Sequence, residues 1–146
     1  MAPMILLALS LTMPLTAAPQ TRDEAAVRDV VKRYVEARDR ADEAGIRALF
    51  TEDADQLTSS GEWRKGREAI VKGTLASSKG NPGARTIAIE TVRFPAPGVA
   101  LADGPYEIAG SPGAPARKMW TAFVIVRTGD AWRIASIRNM LPAPAR

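Results

Sequence analysis

The chain has 146 residues, 20 of them Lys or Arg and 16 Asp or Glu, for a formal charge of +4, with 46% hydrophobic residues and neither His nor Cys. That length suits one domain with a genuine core and is too short for two ordinary ones. Without Cys there are no disulfides, thiolate nucleophiles, zinc fingers or iron–sulfur ligands; without His there are no imidazole bases, Ser-His-Asp triads or most transition-metal sites.

Residues 1–21 carry no charged side chain, and an apolar block, Met4–Leu11, is followed by small residues up to Ala18. This pattern matches a secretory signal and its cleavage zone. It falls short of the roughly 20 residues that span a bilayer. Residues 1–18 are therefore expected to be a signal peptide, the mature protein periplasmic or secreted, 19–140 its domain and 141–146 a Pro/Ala tail. Against this stand the lack of a basic residue before the block and Pro19 beside the cleavage point. The alternative is an N-terminus that is never processed.

Thr21 and Glu24 have the spacing of a capping box, and Val27, Val30, Val31, Tyr34 and Val35 recur on one helical face. The spacing predicts a helix over 22–41. Asp42 can cap a second, shorter helix carrying Ile46, Leu49 and Phe50 inward. A strand follows over 54–59, then a third helix opening at Gly66, then a loop over 77–83. From Arg85 the period becomes two, with strands over 86–94, 99–108 (bent at Asp103-Gly104-Pro105), 118–127 and 132–139. Thr128-Gly129-Asp130-Ala131 is a hairpin signal between the last two.

Helices gathered before a mostly antiparallel meander indicate an α+β fold with the helices on one side of the sheet. The strand over 119–126 is apolar on both faces, and a monomer rarely exposes so large a patch. A homodimer covering the outer face is the economical expectation; cover by the chain's own tail is the alternative. Basic and acidic residues balance at 12 each through residue 80 and stand at 8 to 4 beyond it. This mild field suits a small anionic ligand and is no nucleic-acid stripe.

The segment Asp42, Ile46 to Ala54, Gly61 and Gly66 to Ile70, with the closing hairpin Phe123–Arg127, Gly129, Trp132–Ala135 and Asn139, resembles the nuclear-transport-factor-2-like superfamily, in particular its SnoaL-like branch and the SgcJ/EcaC group. The resemblance covers residues 22–140. It implies a conical half-barrel in which a curved sheet wraps the long first helix and leaves a pocket at the open end. Members of that superfamily include isomerases, dehydratases and non-catalytic binding modules, so fold alone does not choose a function. Where members frequently carry His near the end of the last strand, this chain has Arg138 before Asn139. No Gly-x-Gly-x-x-Gly fingerprint is present, and no cofactor or metal is expected.

With His and Cys missing, a general base must be Asp, Glu, Tyr or Lys. Asp55, pointing into a cone beside aromatic residues, would be desolvated and its pKa raised, as proton abstraction requires. Asp103, ending an apolar run, is the second carboxylate candidate. Both also read as surface or turn residues. Alternation lets only one of Arg138 and Asn139 face a cavity. Arg138 there would bind a carboxylate or stabilise an oxyanion, whereas Asn139 would offer neutral hydrogen bonds. Trp63 and Tyr106, near turns, are candidate pocket walls; Tyr34 and Trp120 could serve likewise but sit in apolar stripes that favour the core. Two functions follow: an exported ligand-binding domain, possessing cofactor-free isomerase or dehydratase chemistry if Asp55 and Arg138 converge on one concavity, or a non-catalytic dimerising module with a vestigial pocket.

Overall fold

The computed structural model describes residues 19–143. The expected signal peptide, 1–18, and the end of the tail lie outside the described residues. Three helices, α1 (Pro19–Asp39), α2 (Glu43–Ala48) and α3 (Arg67–Gly80), pack on a sheet of seven strands. The strands are β1 (Phe50–Leu57), β2 (Trp63–Lys65), β3 (Arg85–Ile87), β4 (Thr91–Ala96), β5 (Val99–Ile108), β6 (Arg117–Thr128) and β7 (Ala131–Met140). Their order is β2-β1-β7-β6-β5-β3, with β4 also pairing β5. Only β1 and β7 run parallel, so the open sheet is mixed and mostly antiparallel. The architecture is the α+β cone implied by the resemblance.

α1 buries Val27, Val30, Val31, Tyr34, Ala37 and Arg38, the stripe of one helical face continued to its last turn. It begins before Thr21, which places the expected capping box inside the helix. Asp42 caps α2 by accepting from the Gly45 amide at 2.9 Å. A Cβ at position 45 would lie 2.4 Å from that carboxylate, so glycine keeps the cap in place despite its low helix propensity. The core closes on Tyr34, packed edge-to-face on Phe50 (5.5 Å) and Phe123 (6.2 Å).

Four sequence expectations change. β1 starts at Phe50, earlier than expected, and β2 was not anticipated. α3 runs on to Gly80, through residues that read as loop by composition. The expected strand over 86–94 divides into β3 and β4 around Ala88–Glu90. Gly104 approaches so closely here that a Cβ would lie 1.9 Å from the Ala88 carbonyl oxygen. Pro105 opposite has no N–H to continue the ladder. The amides of Ala88 and Glu90 instead donate singly to the Pro105 and Asp103 carbonyls.

A bulge in β7 has the largest consequence. Its pairing with β6 slips between Val124 and Ile125, leaving Ala135 as an extra residue. Trp132 and Ile134 point inward before it, Ile137 and Asn139 after it. Unbroken alternation would have sent Arg138 inward.

Candidate functional site

At the open end of the cone, past the Tyr34 ring, lies a cavity of about 250 Å³. Among the described residues four arginines reach it, Arg38, Arg64, Arg85 and Arg117, but only one carboxylate, Glu62. Glu62 accepts two bonds from Arg64, at 2.8 and 3.0 Å, and Arg64 holds its carboxyl below the usual range. Arg64 lies against α3 where Gly73 leaves room; a Cβ there would come within 2.2 Å of its guanidinium.

Arg38 and Arg85 are 6% and 9% exposed, and neither has a carboxylate partner among the described residues. Arg38 Nη1 donates to the hydroxyls of Tyr34 and Tyr106, both at 3.3 Å, and its other nitrogens to Ser77 and Ser78 at 3.1–3.4 Å. Burial works against its charge, yet the Tyr34 and Tyr106 oxygens carry its pKa above the ordinary arginine value. Arg85 Nε donates to the same Tyr106 hydroxyl at 3.2 Å, with further bonds to the Gly83 and Ser77 carbonyls. Two buried guanidiniums therefore share one phenol oxygen, with no carboxylate partner among the described residues. The hydroxyls offset the burial cost of Arg38 without neutralising its charge, so this end of the cavity carries a positive potential.

Of the residues singled out from sequence, Tyr106 and Asn139 line this cavity, and the Tyr34 hydroxyl bonds its Arg38 from the core side. Asp55, Arg138, Asp103, Trp63 and Trp120 do not line it; they lie on the outer sheet face. Arg138 donates to both Asp55 oxygens, at 2.8 and 3.0 Å, and stacks over Trp63 at 4.9 Å. The expectation that Asp55 points into the cone is corrected: Ala54 and Gln56 face inward, so Asp55 faces out. Its pKa is lowered, chiefly by the bond from Arg138, whereas proton abstraction needs it raised. Asp103 accepts from the Thr91 hydroxyl at 2.9 Å on that same face. Trp63 is 49% exposed, and Trp120 is half-buried on the outer face, away from the core.

Sequence reasoning missed Arg38, Arg64, Arg85 and Gln56. A signal existed for two of them. Arg38 continues the apolar stripe of α1, and Arg85 shares the period of Ile87. A cation on a buried stripe is the informative exception to surface placement.

A wider, shallower apolar groove of about 390 Å³ runs between α1 and β3, past Val31, Val35, Ile87 and Ile89. Arg85 borders it too, but among the described residues no second buried polar side chain converges there, as fixing a ligand's orientation requires. Among the described residues no helix is long and apolar enough to cross a membrane.

The sequence pattern of the SnoaL-like domain matches residues 19–138. No curated protein matches the chain. Among solved structures, a Caulobacter vibrioides protein with a cystatin-like fold is 20% identical, with 84% of this chain and 92% of that one covered and a TM-score of 0.74. An NTF2-like protein with a cystatin-like fold from Novosphingobium aromaticivorans is 20% identical over 86% of each chain, TM-score 0.73. An NTF-2 like protein from Shewanella oneidensis is 15% identical, covering 82% and 99%, TM-score 0.66. At these identities the likeness is one of fold.

Proposed function

The chain belongs to the SnoaL-like family, and on that premise we propose that it is an exported ligand-binding domain whose cone cavity takes a small organic anion. One observation carries the reading: Arg38 and Arg85, both buried, converge on the Tyr106 hydroxyl with no carboxylate of their own among the described residues. A carboxylate ligand would supply the missing charge through charge-assisted bonds, the strongest this chemistry offers. Binding is favoured over cofactor-free isomerase or dehydratase chemistry because Asp55, the base such chemistry would use, faces away from the cavity. Glu62, the carboxylate in the lining, is held by Arg64.

Titration with a simple carboxylate such as valerate tests this. Saturable binding that Arg85→Met weakens by about a hundredfold supports it; binding indifferent to Arg85 refutes it. The export half rests on the pattern of residues 1–18 and is tested by N-terminal sequencing of the protein recovered outside the cytoplasm, where an intact Met1 would end it.

Homodimerisation through the outer sheet face is part of the same reading. Trp120, Ala122 and Val124 lie half-buried there, with Trp63 49% and Met140 43% exposed beside them. A monomer in light scattering at micromolar concentration would remove this element.

A further inference from the structure

Among the described residues, the buried polar side chains of the cavity are one-sided in hydrogen bonding, their unused groups being donors. Gln56 is 2% exposed and accepts at its amide oxygen from Arg64 Nη1 at 3.1 Å. A guanidinium can only donate, so this contact fixes the orientation of the amide and leaves its NH2 without a protein acceptor among the described residues. Asn139 is held in the same sense. The buried Thr121 hydroxyl donates to its Oδ1 at 2.8 Å, leaving the Asn139 NH2 toward the cavity. Gln56 and Asn139 are close neighbours on the inner face, because β1 pairs with β7 with Gln56 opposite Ile137, two residues from Asn139. Tyr106 accepts from both Arg38 and Arg85, which occupies both phenol lone pairs and leaves its own proton to donate.

The cavity thus has two poles, one made of guanidiniums and a phenol proton, the other of two neutral amide NH2 groups. The neutral pole lies beside Arg64, whose charge is already matched by Glu62. It suits an uncharged oxygen acceptor better than a second carboxylate, which would meet the Glu62 charge; the further cation there, Arg117, is solvent-exposed and bonds the Ser59 hydroxyl. Resting on the anion-binding reading above, we infer that the ligand class is a keto acid, with its carboxylate on Arg38, Arg85 and Tyr106 and its carbonyl oxygen on the amides of Gln56 and Asn139. Among the described residues the acceptors left in the lining, Asn81 Oδ1 and the Glu62 carboxylate, belong to exposed residues, so amines and donor-rich neutral ligands would gain less from them. A site built to hydrogen-bond one group discriminates against analogues lacking it.

The test is calorimetric titration of the full chain with α-ketovalerate, levulinate, valerate and glutarate. At least one keto acid should bind about tenfold tighter than valerate, the worth of one or two neutral hydrogen bonds. Gln56→Glu and Asn139→Asp conserve shape and keep the bonds from Arg64 and Thr121, while replacing the donor by an acceptor. In each variant the ratio of keto-acid to valerate affinity should fall toward one, whatever the added charge does to both. A ratio near one in the unaltered chain, a ratio that survives both substitutions, or glutarate binding tighter than either keto acid overturns the keto-acid assignment. If valerate binds in an Arg85-dependent way while the keto acids gain nothing, that assignment alone falls. If none of the four acids binds, the anion-binding reading falls with it.

Discussion

The two faces of the sheet use arginine in opposite ways. On the outer face Arg138 grips both oxygens of Asp55 and stacks on Trp63, so its charge and its flat surface are both matched within the chain. On the inner face Arg38 and Arg85 are more deeply buried, yet they meet hydroxyls and carbonyls in place of carboxylates. A paired, half-exposed guanidinium contributes modestly to stability and offers little to a ligand. A buried guanidinium without a counterion is a cost to the empty protein and a gain once an anion arrives. The contrast separates a structural ion pair from the proposed binding site, although both contain arginine beside aromatic residues.

The widest test of that contrast removes charge from each face in turn. Arg38→Met or Arg85→Met should weaken carboxylate binding by about a hundredfold, the scale of losing one buried charged contact. The ligand-free Arg38→Met protein should stay within about 1 kcal/mol of the parent in denaturant melts, because an uncompensated charge goes with the bonds it made. Gly104→Ala closes the space in which the Ala88–Glu90 segment lies against β5. Its Cβ would meet the Ala88 carbonyl at 1.9 Å, and a destabilisation of about 2 kcal/mol is expected from such overpacking, read from the urea midpoint. Arg138→Met should cost about 1 kcal/mol at most, since the pair is partly solvated, and should leave carboxylate affinity unchanged in the same titration.

The smallest effect is in the pH dependence. Arg138 holds the Asp55 carboxyl below its ordinary value, so the pair's contribution is complete above the unfolded pKa of about 3.9. It declines as pH falls through the folded value, when the native state also takes up the proton. Acid unfolding curves of the parent and of Arg138→Met should therefore converge at the acid end and separate above it. Binding of a carboxylate to the inner face should be flat between about pH 5 and 8, because the chain has no histidine to titrate there. A step in affinity in that window would refute the role given to the two arginines.

Much of the frame was readable in advance because it depends on local periodicity. The stripe from Val27 to Tyr34, the Asp42 cap, and the alternation of β5, β6 and β7 each follow from patterns within a few residues. The exclusion of thiol and imidazole chemistry follows from composition alone. The division of one expected strand into β3 and β4 was not readable, because its cause is the approach of Gly104 from a separate strand.

The facing of the site residues lay further out of reach. Asp55 and Arg138 do meet, but across the parallel pairing of β1 with β7, and on the side away from the cavity. One extra residue at Ala135 exchanges the directions of Arg138 and Asn139, and no local signal marks which residue of the strand will bulge. Sequence determined which residue types were available and which helical and strand faces were apolar, since both are properties of neighbours along the chain. Tertiary structure alone decided which arginines acquired carboxylate partners, since that depends on strand register and on distances between segments far apart in sequence.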